Sequence, residues 1–355
     1  MQSLIHPIKD RKIKIGIVGC GKISANHFNA IAELSDQFEL TAICDTHTDS
    51  LQKALSVSNA SGYSSIKTML KTQLDLDIVT LCSPSGLHAA QTIQIAQHQK
   101  HIITEKPMAT SWADGIAMVK ACDKASVQLF VVKQNRYQPA LQLLKETIQQ
   151  GRLGKIYMVN LNVFWTRPQA YYDQAKWRGT WEFDGGVLMN QASHYVDLLD
   201  WLIGPVQSVQ AMMATLATNI ETEDSGVVNL RWRSGTLGSL NVTMLTYPKN
   251  LEASLTILGA KGSVKIGGLS ANRIDHWELS EPDNSEQSIQ AINDAATKKL
   301  PPHLGHKKYY ENVAKTLRGE STADIDGRAG LRSLEILTAA YLSARDSNTV
   351  NLPLA

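Results

Sequence analysis

The chain has 355 residues, enough for two domains, with 43% apolar residues, 19% charged residues and a formal net charge of +2. That balance offers no basic stripe for nucleic acid and no acidic tail, and no apolar run nears the roughly 20 residues of a membrane-spanning helix. Met1 to Asp10 is short and polar, unlike a signal peptide, and Cys20, Cys44, Cys82 and Cys122 are spread without a Cys-x-x-Cys pair, so a cytoplasmic protein with free thiols and no metal centre is expected.

The apolar run Ile13 to Val18 predicts a buried strand, and it ends in Gly19-Cys20-Gly21-Lys22-Ile23-Ser24. A buried strand leading through Gly-x-Gly into a helix is the entry of a dinucleotide-binding fold. Gly19 permits the tight turn, Gly21 lets the backbone approach a pyrophosphate, and Lys22 and Ile23 open the helix whose N–H groups can bind it. Ser24 stands at the third position of the fingerprint, where Gly or Ala is usual. Phe38 to Cys44 predicts a second strand, and Asp45 at its end, 24 residues past Gly21, stands where a ribose-binding carboxylate belongs. Further strands are expected at 77–82, 100–104 and 128–133, with amphipathic helices such as 86–98 and 111–124 between them. Apolar strands alternating with helices imply an α/β domain over residues 1–134, with a doubly wound parallel sheet. The carboxyl ends of such strands line the ligand crevice, so Thr104-Glu105-Lys106-Pro107 can offer Lys106 to a substrate. An isolated loop lysine reads more simply as solvated.

The character of the chain changes near Asn135. After a helix at about 137–150 come strands at 155–166, 207–217, 225–233, 236–246, 252–258 and 263–267, so residues 135–355 read as an α+β domain with a large open, mostly antiparallel sheet. Within 239–244, Leu240, Val242 and Met244 point one way and Ser239, Asn241 and Thr243 the other, giving one face for helices and one for a subunit contact. Residues 280–303, with Pro282, Pro301 and Pro302, read as a long loop, and helices at about 305–318 and 328–345 close the chain. A helix is also expected at about 187–203. Leu188, Ala192, Tyr195, Val196, Leu199 and Leu202 form its apolar face, and Asn190, His194, Asp197 and Trp201 cluster opposite, within roughly 60°. A solvated face would carry Lys and Glu, so this one reads as a wall facing a ligand as readily as a structural surface.

Gly19-x-Gly21, Ser83-Pro84-x-x-x-His88, Glu105-Lys106-Pro107, Asn135-Arg136 and Gly185-Gly186 through His194 and Asp197 together resemble the Gfo/Idh/MocA family of nicotinamide-dependent sugar oxidoreductases, over essentially the whole chain. The resemblance implies a Rossmann domain in which Ser83, Pro84, His88, Glu105 and Lys106 join the glycine turn at the cofactor. It also implies catalytic roles for Lys106 and His194, a cis Lys106–Pro107 bond, and a homodimer on the second domain's sheet, often doubled to a homotetramer. Many members carry Asp four residues before the histidine. Asn190 stands there, cannot act as a base, and is left to hydrogen-bond the substrate. NAD is expected over NADP, because Asp45 can accept from a free ribose 2′-OH and would repel a 2′-phosphate, and Thr46-His47-Thr48 brings no arginine.

Trp165-Thr166-Arg167, Tyr171-Tyr172, Trp177 to Trp181 and Asn190 to His194 are similar to a branch of this family that acts on UDP-N-acetyl-2-amino-2-deoxy-D-glucuronate in lipopolysaccharide and O-antigen synthesis. This likeness implies NAD-dependent oxidation of the sugar C3 hydroxyl to the 3-keto sugar. Asn190, Arg136, Arg167, Tyr172, Lys176 and Arg178 would be substrate contacts, and 2-oxoglutarate an optional partner that reoxidises NADH. Arginine's fork suits both a diphosphate and a uronate carboxylate. An inositol or simple-sugar dehydrogenase on the same scaffold, and a non-catalytic NAD(P)-binding sensor, are the alternatives.

Overall fold

In the first strand, β1 (Ile13–Val18), every residue but Lys14 is buried, as a strand covered on both faces requires. The computed structural model describes residues 7–281, 285–297 and 303–354. Its contacts divide the chain into two units: Met1–Gln134 with Pro301–Leu331, and Asn135–Leu300 with Arg332–Ala355.

The first unit continues with α1 (Ser24–Glu33), β2 (Phe38–Cys44), α2 (Thr48–Leu55), β3 (Ser61–Tyr63), α3 (Ile66–Thr72), β4 (Ile78–Leu81), α4 (His88–Gln97), β5 (His101–Thr104), α5 (Trp112–Ala125) and β6 (Leu129–Val131). Its six strands pair in parallel in the order β3-β2-β1-β4-β5-β6. The order reverses between β1 and β4, which puts the glycine turn after β1 beside the Cys82–Ser83 segment after β4. Ile15, Ile17, Ile43, Ile78, Leu81, Ile102 and Ile103 fill the layer between sheet and helices. α5 starts on a reciprocal cap: Ser111 Oγ accepts the Asp114 N–H at 3.2 Å and donates to its carboxylate at 2.7 Å. The expected strands are all present, and β3, three residues long, adds one that was not expected.

The second unit contains α6 (Pro139–Gln149), β7 (Ile156–Phe164), α7 (Gln169–Asp173), α8 (Ser193–Ile203), β8 (Val206–Ala214), β9 (Ser225–Trp232), β10 (Leu237–Thr243), β11 (Glu252–Gly259), β12 (Gly262–Gly267), β13 (Arg273–Leu279) and α9 (Ser285–Thr297). α10 (Leu304–Leu317) returns to the first unit, α11 (Gly327–Asp346) follows, and β14 (Val350–Asn351) closes the chain. The eight strands run β13-β12-β11-β7-β10-β9-β8-β14, antiparallel except for the central β10–β7 pair. The expected alternation holds: Leu240, Val242 and Met244 are buried, and Ser239, Asn241 and Thr243 lie half-buried on the other face. Leu188, Val196 and Leu199 meet Val228, Leu230 and Leu240 of the sheet together with Ile336, Leu337 and Ala340.

Two expectations are corrected. The polar 280–303 segment is not a long loop, because α9 lies within it; Pro282, Pro301 and Pro302 fall outside the described residues. α9 is held by Asn293, whose Oδ1 accepts the Ile274 N–H at 2.8 Å and whose Nδ2 donates to the Ile274 carbonyl at 2.9 Å. β13 itself was not expected. The helix expected from about 187 begins only at Ser193, and Asn190 lies in the turns before it. By contact, residues 301–331 cluster with the first unit.

Gly19 has φ +92°, and a Cβ there would lie 2.7 Å from Cys82 C and Ser83 N, both backbone atoms that cannot swing aside. Gly19→Ala should therefore lose about 3 kcal/mol or more of stability, read by urea denaturation of the purified variant against the native chain.

Candidate active site

The turn after β1 is pinned on both sides. Gly19 N–H donates to the Cys44 carbonyl at 2.8 Å, and Cys20 N–H to Asp45 Oδ2 at 2.7 Å. Asp45 Oδ1 accepts the His47 N–H, also at 2.7 Å. The carboxylate is thus fixed at the end of β2, and each oxygen keeps lone pairs for a donor such as a ribose hydroxyl. Gly21 and Lys22 are exposed and Ile23 half-buried; a Cβ on Gly21 would meet nothing within 4 Å. Open space beside Gly21, the α1 N-terminus and the fixed Asp45 carboxylate are what a dinucleotide needs, so these residues fit the cofactor.

Ser83, Pro84 and His88 follow β4. Ser83 Oγ donates to Gln91 Oε1 at 2.6 Å. His88 is fully buried, and its ring nitrogens lie 3.0 Å from the Pro107 carbonyl oxygen and 3.0 Å from that of Ser83. It ties the segment after β4 to the turn after β5, and burial lowers its pKa although both carbonyls pull the other way. The Lys106–Pro107 bond is cis. Glu105 turns inward at 4% exposure, accepting the Lys106 backbone N–H at 3.0 Å. Lys106 itself is half-buried.

In the second unit, His194 lies in the first turn of α8, at 9% exposure. The turns before it are shaped by Glu223: Oε1 accepts the Leu188 N–H at 2.9 Å and the Tyr341 hydroxyl at 2.8 Å, and that hydroxyl accepts the Met189 N–H at 3.1 Å. A Cβ on Gly186 would lie 1.7 Å from Glu223 Oε2, so any other residue there would have to displace this buried carboxyl. Asn190 Nδ2 donates to Asp184 Oδ1, and Asp184 Oδ2 accepts the Gly179 N–H at 2.8 Å, joining this turn to the arginine-bearing segment.

The remaining half of the α8 polar face packs on protein rather than lining a ligand wall. Arg136 donates from Nε and Nη2 to the two Asp197 oxygens, both at 2.7 Å, with both side chains buried. Trp201 takes the Arg136 and Lys145 cations over its ring at 5.6 and 5.3 Å. The fork that sequence reasoning offers to a substrate anion is occupied by Asp197. Arg167 and Arg178 instead flank Tyr171, at 5.4 and 4.2 Å from its ring, and Arg167 also stacks over Trp165 at 5.3 Å. Arg178 Nη1 donates to the Tyr171 carbonyl at 2.6 Å, while its buried Nε has no acceptor among the described residues. Gln191 links the group, accepting from Arg167 at 3.4 Å and donating to the Tyr171 hydroxyl at 3.2 Å. Tyr172 is buried, its ring edge-on to Tyr171, and Lys176 is exposed. Tyr171 and Gln191 were not singled out from sequence, although both sit inside the motifs that carry the resemblance. The expected residues thus gather in two groups, one in each unit.

Residues 13–133 match the family description "Oxidoreductase family, NAD-binding Rossmann fold" and residues 145–352 match "Oxidoreductase family, C-terminal alpha/beta domain". The chain belongs to the Gfo/Idh/MocA oxidoreductase family. This family member carries its NAD-binding domain in the first unit. It is similar to the WlbA dehydrogenase from Bordetella pertussis, solved in complex with NADH and UDP-GlcNAcA, at 57% identity and TM-score 0.95 over 98% of this chain and 100% of that one. The WlbA dehydrogenase from Chromobacterium violaceum, with the same two ligands, is 58% identical at TM-score 0.94, covering 99% of each chain. A D-apiose dehydrogenase from Paraburkholderia graminis is 26% identical over 96% of this chain and 90% of its own length. No helix among the described residues of this Gfo/Idh/MocA chain is long and apolar enough to cross a membrane.

Burial pushes the Glu223 carboxyl up to about 7, only partly offset by the Leu188 N–H and the Tyr341 hydroxyl. The folded state therefore keeps a proton that the unfolded chain releases near 4.5, and stability falls as pH rises through that window. Glu223→Gln, which cannot ionise, should remove about 3 kcal/mol of the stability difference between pH 5 and pH 8. Urea melts of native and variant protein at the two pH values read this directly.

Proposed function

We propose that the chain oxidises the C3 hydroxyl of UDP-N-acetyl-2-amino-2-deoxy-D-glucuronate to the 3-keto sugar with NAD. The observation that carries this reading is its likeness, at 57 and 58% identity over nearly the whole chain, to two dehydrogenases solved with NADH and UDP-GlcNAcA. The Trp165, Arg167, Tyr171 and Arg178 group supports it. Two guanidiniums lie over one ring, and the buried Arg178 Nε has no acceptor among the described residues, which suits a diphosphate or a uronate carboxylate. Lys176 adds an exposed cation nearby in sequence. Arg136 acts on this reading through Asp197 and α8 rather than on the ligand.

NAD, when bound, supplies the hydride acceptor. Gly19, Gly21, Lys22, Ile23 and Asp45 hold it, with Ser83 and Pro84 beside them, while His88 and Glu105 shape the segments that do so. His194 accepts the hydroxyl proton as general base, a task imidazole suits near neutral pH. Lys106 donates a hydrogen bond to the reacting oxygen and stabilises its developing negative charge. Asn190, held by Asp184, orients the sugar. The same reading puts the enzyme in cytoplasmic lipopolysaccharide or O-antigen sugar synthesis, with 2-oxoglutarate able to reoxidise NADH.

A second copy pairs, on this reading, through the open face of the eight-stranded sheet to give a homodimer, doubled to a homotetramer. Asn241 Nδ2 donates to Asn162 Oδ1 at 2.9 Å and Asn160 Nδ2 to Ser239 Oγ at 2.7 Å across that face, and Met158, Leu237 and Leu258 lie exposed at one end of it. Light scattering at micromolar concentration should return two or four chains; a single-chain mass excludes this assembly.

The decisive assay is NADH formation from NAD and the UDP-uronate, with and without 2-oxoglutarate. Lys106→Ala and His194→Ala should each lower turnover on the order of 10²–10⁴-fold while NAD binding stays close to native. A His194→Ala protein with native turnover removes the assigned base. Faster native turnover of free myo-inositol than of the UDP-uronate moves the activity to a simple-sugar dehydrogenase.

A further inference from the structure

A buried hydrogen-bonded chain in the first unit takes no part in the steps above. Thr80 Oγ1, on β4, lies 3.0 Å from the Tyr310 hydroxyl of α10. That hydroxyl is 2.9 Å from His27 Nδ1 on α1, and His27 Nε2 is 3.0 Å from Glu105 Oε1. Glu105 Oε2 accepts the Lys106 backbone N–H at 3.0 Å, and His306 Nε2 approaches Oε1 at 3.4 Å. All five side chains are almost wholly buried.

The protons in this chain can be placed. A backbone N–H only donates, so Glu105 accepts at Lys106. Burial lowers the His27 pKa, although Glu105 pulls it up, so the ring is neutral near pH 7 with one N–H. That N–H faces the carboxylate at Nε2, so Nδ1 accepts from the Tyr310 hydroxyl, whose oxygen accepts from Thr80. Every link then points toward Glu105. Burial alone would raise the Glu105 pKa, but the bonds from His27 and His306 outweigh it and hold the carboxyl well below its ordinary range. Around it, burial keeps the Cys82 thiol and the Tyr310 phenol protonated and lowers the pKa of the His88 ring. The result is a fixed anion directly behind the Lys106 turn.

We propose that the Thr80–Tyr310–His27–Glu105 chain, joined by His306, is a positioning device that sets Lys106 by holding its backbone N–H on the Glu105 carboxylate. Glu105 is then a positioning residue rather than a cofactor contact, and the inference rests on the reaction proposed for Lys106. His27, Glu105 and His306 also form a set of metal-ligand type, with their atoms within 4.8 Å of one another. The His27 N–H directed at Glu105 fills the space an ion would take, and the measurement below discriminates the two.

The test uses the full-length protein with Glu105→Gln, His27→Leu, His27→Gln, which keeps a donor toward Glu105, and the milder Tyr310→Phe. Glu105→Gln and His27→Leu should lower kcat about 10–100-fold with the KM for NAD nearly unchanged, and Tyr310→Phe should act in the same direction with a smaller loss. Removing the His27 donor weakens the hold on the Glu105 carboxylate, so the kcat loss in His27→Leu should be largely recovered in His27→Gln. Hydrogen exchange at the Lys106 amide should accelerate about tenfold or more in Glu105→Gln. If the native enzyme does not oxidise the UDP-uronate, the proposed reaction fails while the Lys106 exchange rate still decides the positioning. Unchanged kcat and exchange in Glu105→Gln, a kcat in His27→Gln as low as in His27→Leu, or one equivalent of tightly bound metal in the native protein that His27→Leu loses would each overturn the proposal.

Discussion

At the carboxyl ends of the first unit's strands the parallel ladder runs one bond further than the strands themselves, and the cofactor residues depend on that extension. Gly19 N–H reaches the Cys44 carbonyl, Cys82 N–H the Val18 carbonyl and Glu105 N–H the Leu81 carbonyl, at 2.8, 2.7 and 3.0 Å. The turns after β1, β4 and β5 are therefore backbone-locked to their neighbours before any side chain contributes. Only this locking brings Gly19 so close to Cys82 and Ser83 that a methyl group does not fit. The side chains then refine what the backbone has fixed: Asp45 clamps Cys20, and His88 spans Ser83 and Pro107.

The second unit meets a different constraint, the cost of charge inside an apolar layer. α8 buries two aspartates, and each faces an arginine: Asp197 meets Arg136, and Asp200 meets Arg332 at 2.9 Å. Removing either arginine is costly because the buried aspartate left behind keeps its charge without water, whereas Arg332, half-exposed, would stay solvated without Asp200. Asp224 solves the same problem with backbone: burial would raise its pKa, but the N–H groups of Leu216, Ala217 and Thr218 hold it low. Glu223 beside it has fewer donors and keeps its proton more readily. Two adjacent carboxyls are thus pushed in opposite directions, Glu223 up chiefly by its burial and Asp224 down by its ring of donors.

Burial dictates residue type, so the long buried strands and the Gly-x-Gly entry were legible from sequence, while short β3 and the edge strands β13 and β14 were not. The misses share a cause: the deciding partner lies far along the chain. Leu188 and Ala192 keep helical spacing with Tyr195, which extends the apparent helix back to 187. What breaks it is Gly185 at φ +73° and Gly186 pressed on Glu223. α9 lies in a polar stretch bracketed by prolines, and its backbone hold on β13 runs through Asn293. Arg136 and Asp197 are 61 residues apart, so their pairing is invisible to local pattern, and each reads alone as a free polar group. Tyr171 and Tyr172 are neighbours, and only the fold decides which ring the arginines hold.

The Asn293 clamp has a consequence beyond helix placement. It occupies the backbone of Ile274 on an outermost strand that also carries Arg273, Asp275 and Glu278. At the opposite margin, Val350 and Asn351 pair with β8, Leu352 N–H reaches the Gln207 carbonyl, and Ser343 Oγ takes the Ala211 N–H. Both margins of the sheet are thus interrupted as templates for strand addition. A strand arriving edge-on from another molecule therefore meets a backbone position already filled at Ile274 on one margin and a β8 already paired on the other, which disfavours edge-to-edge aggregation.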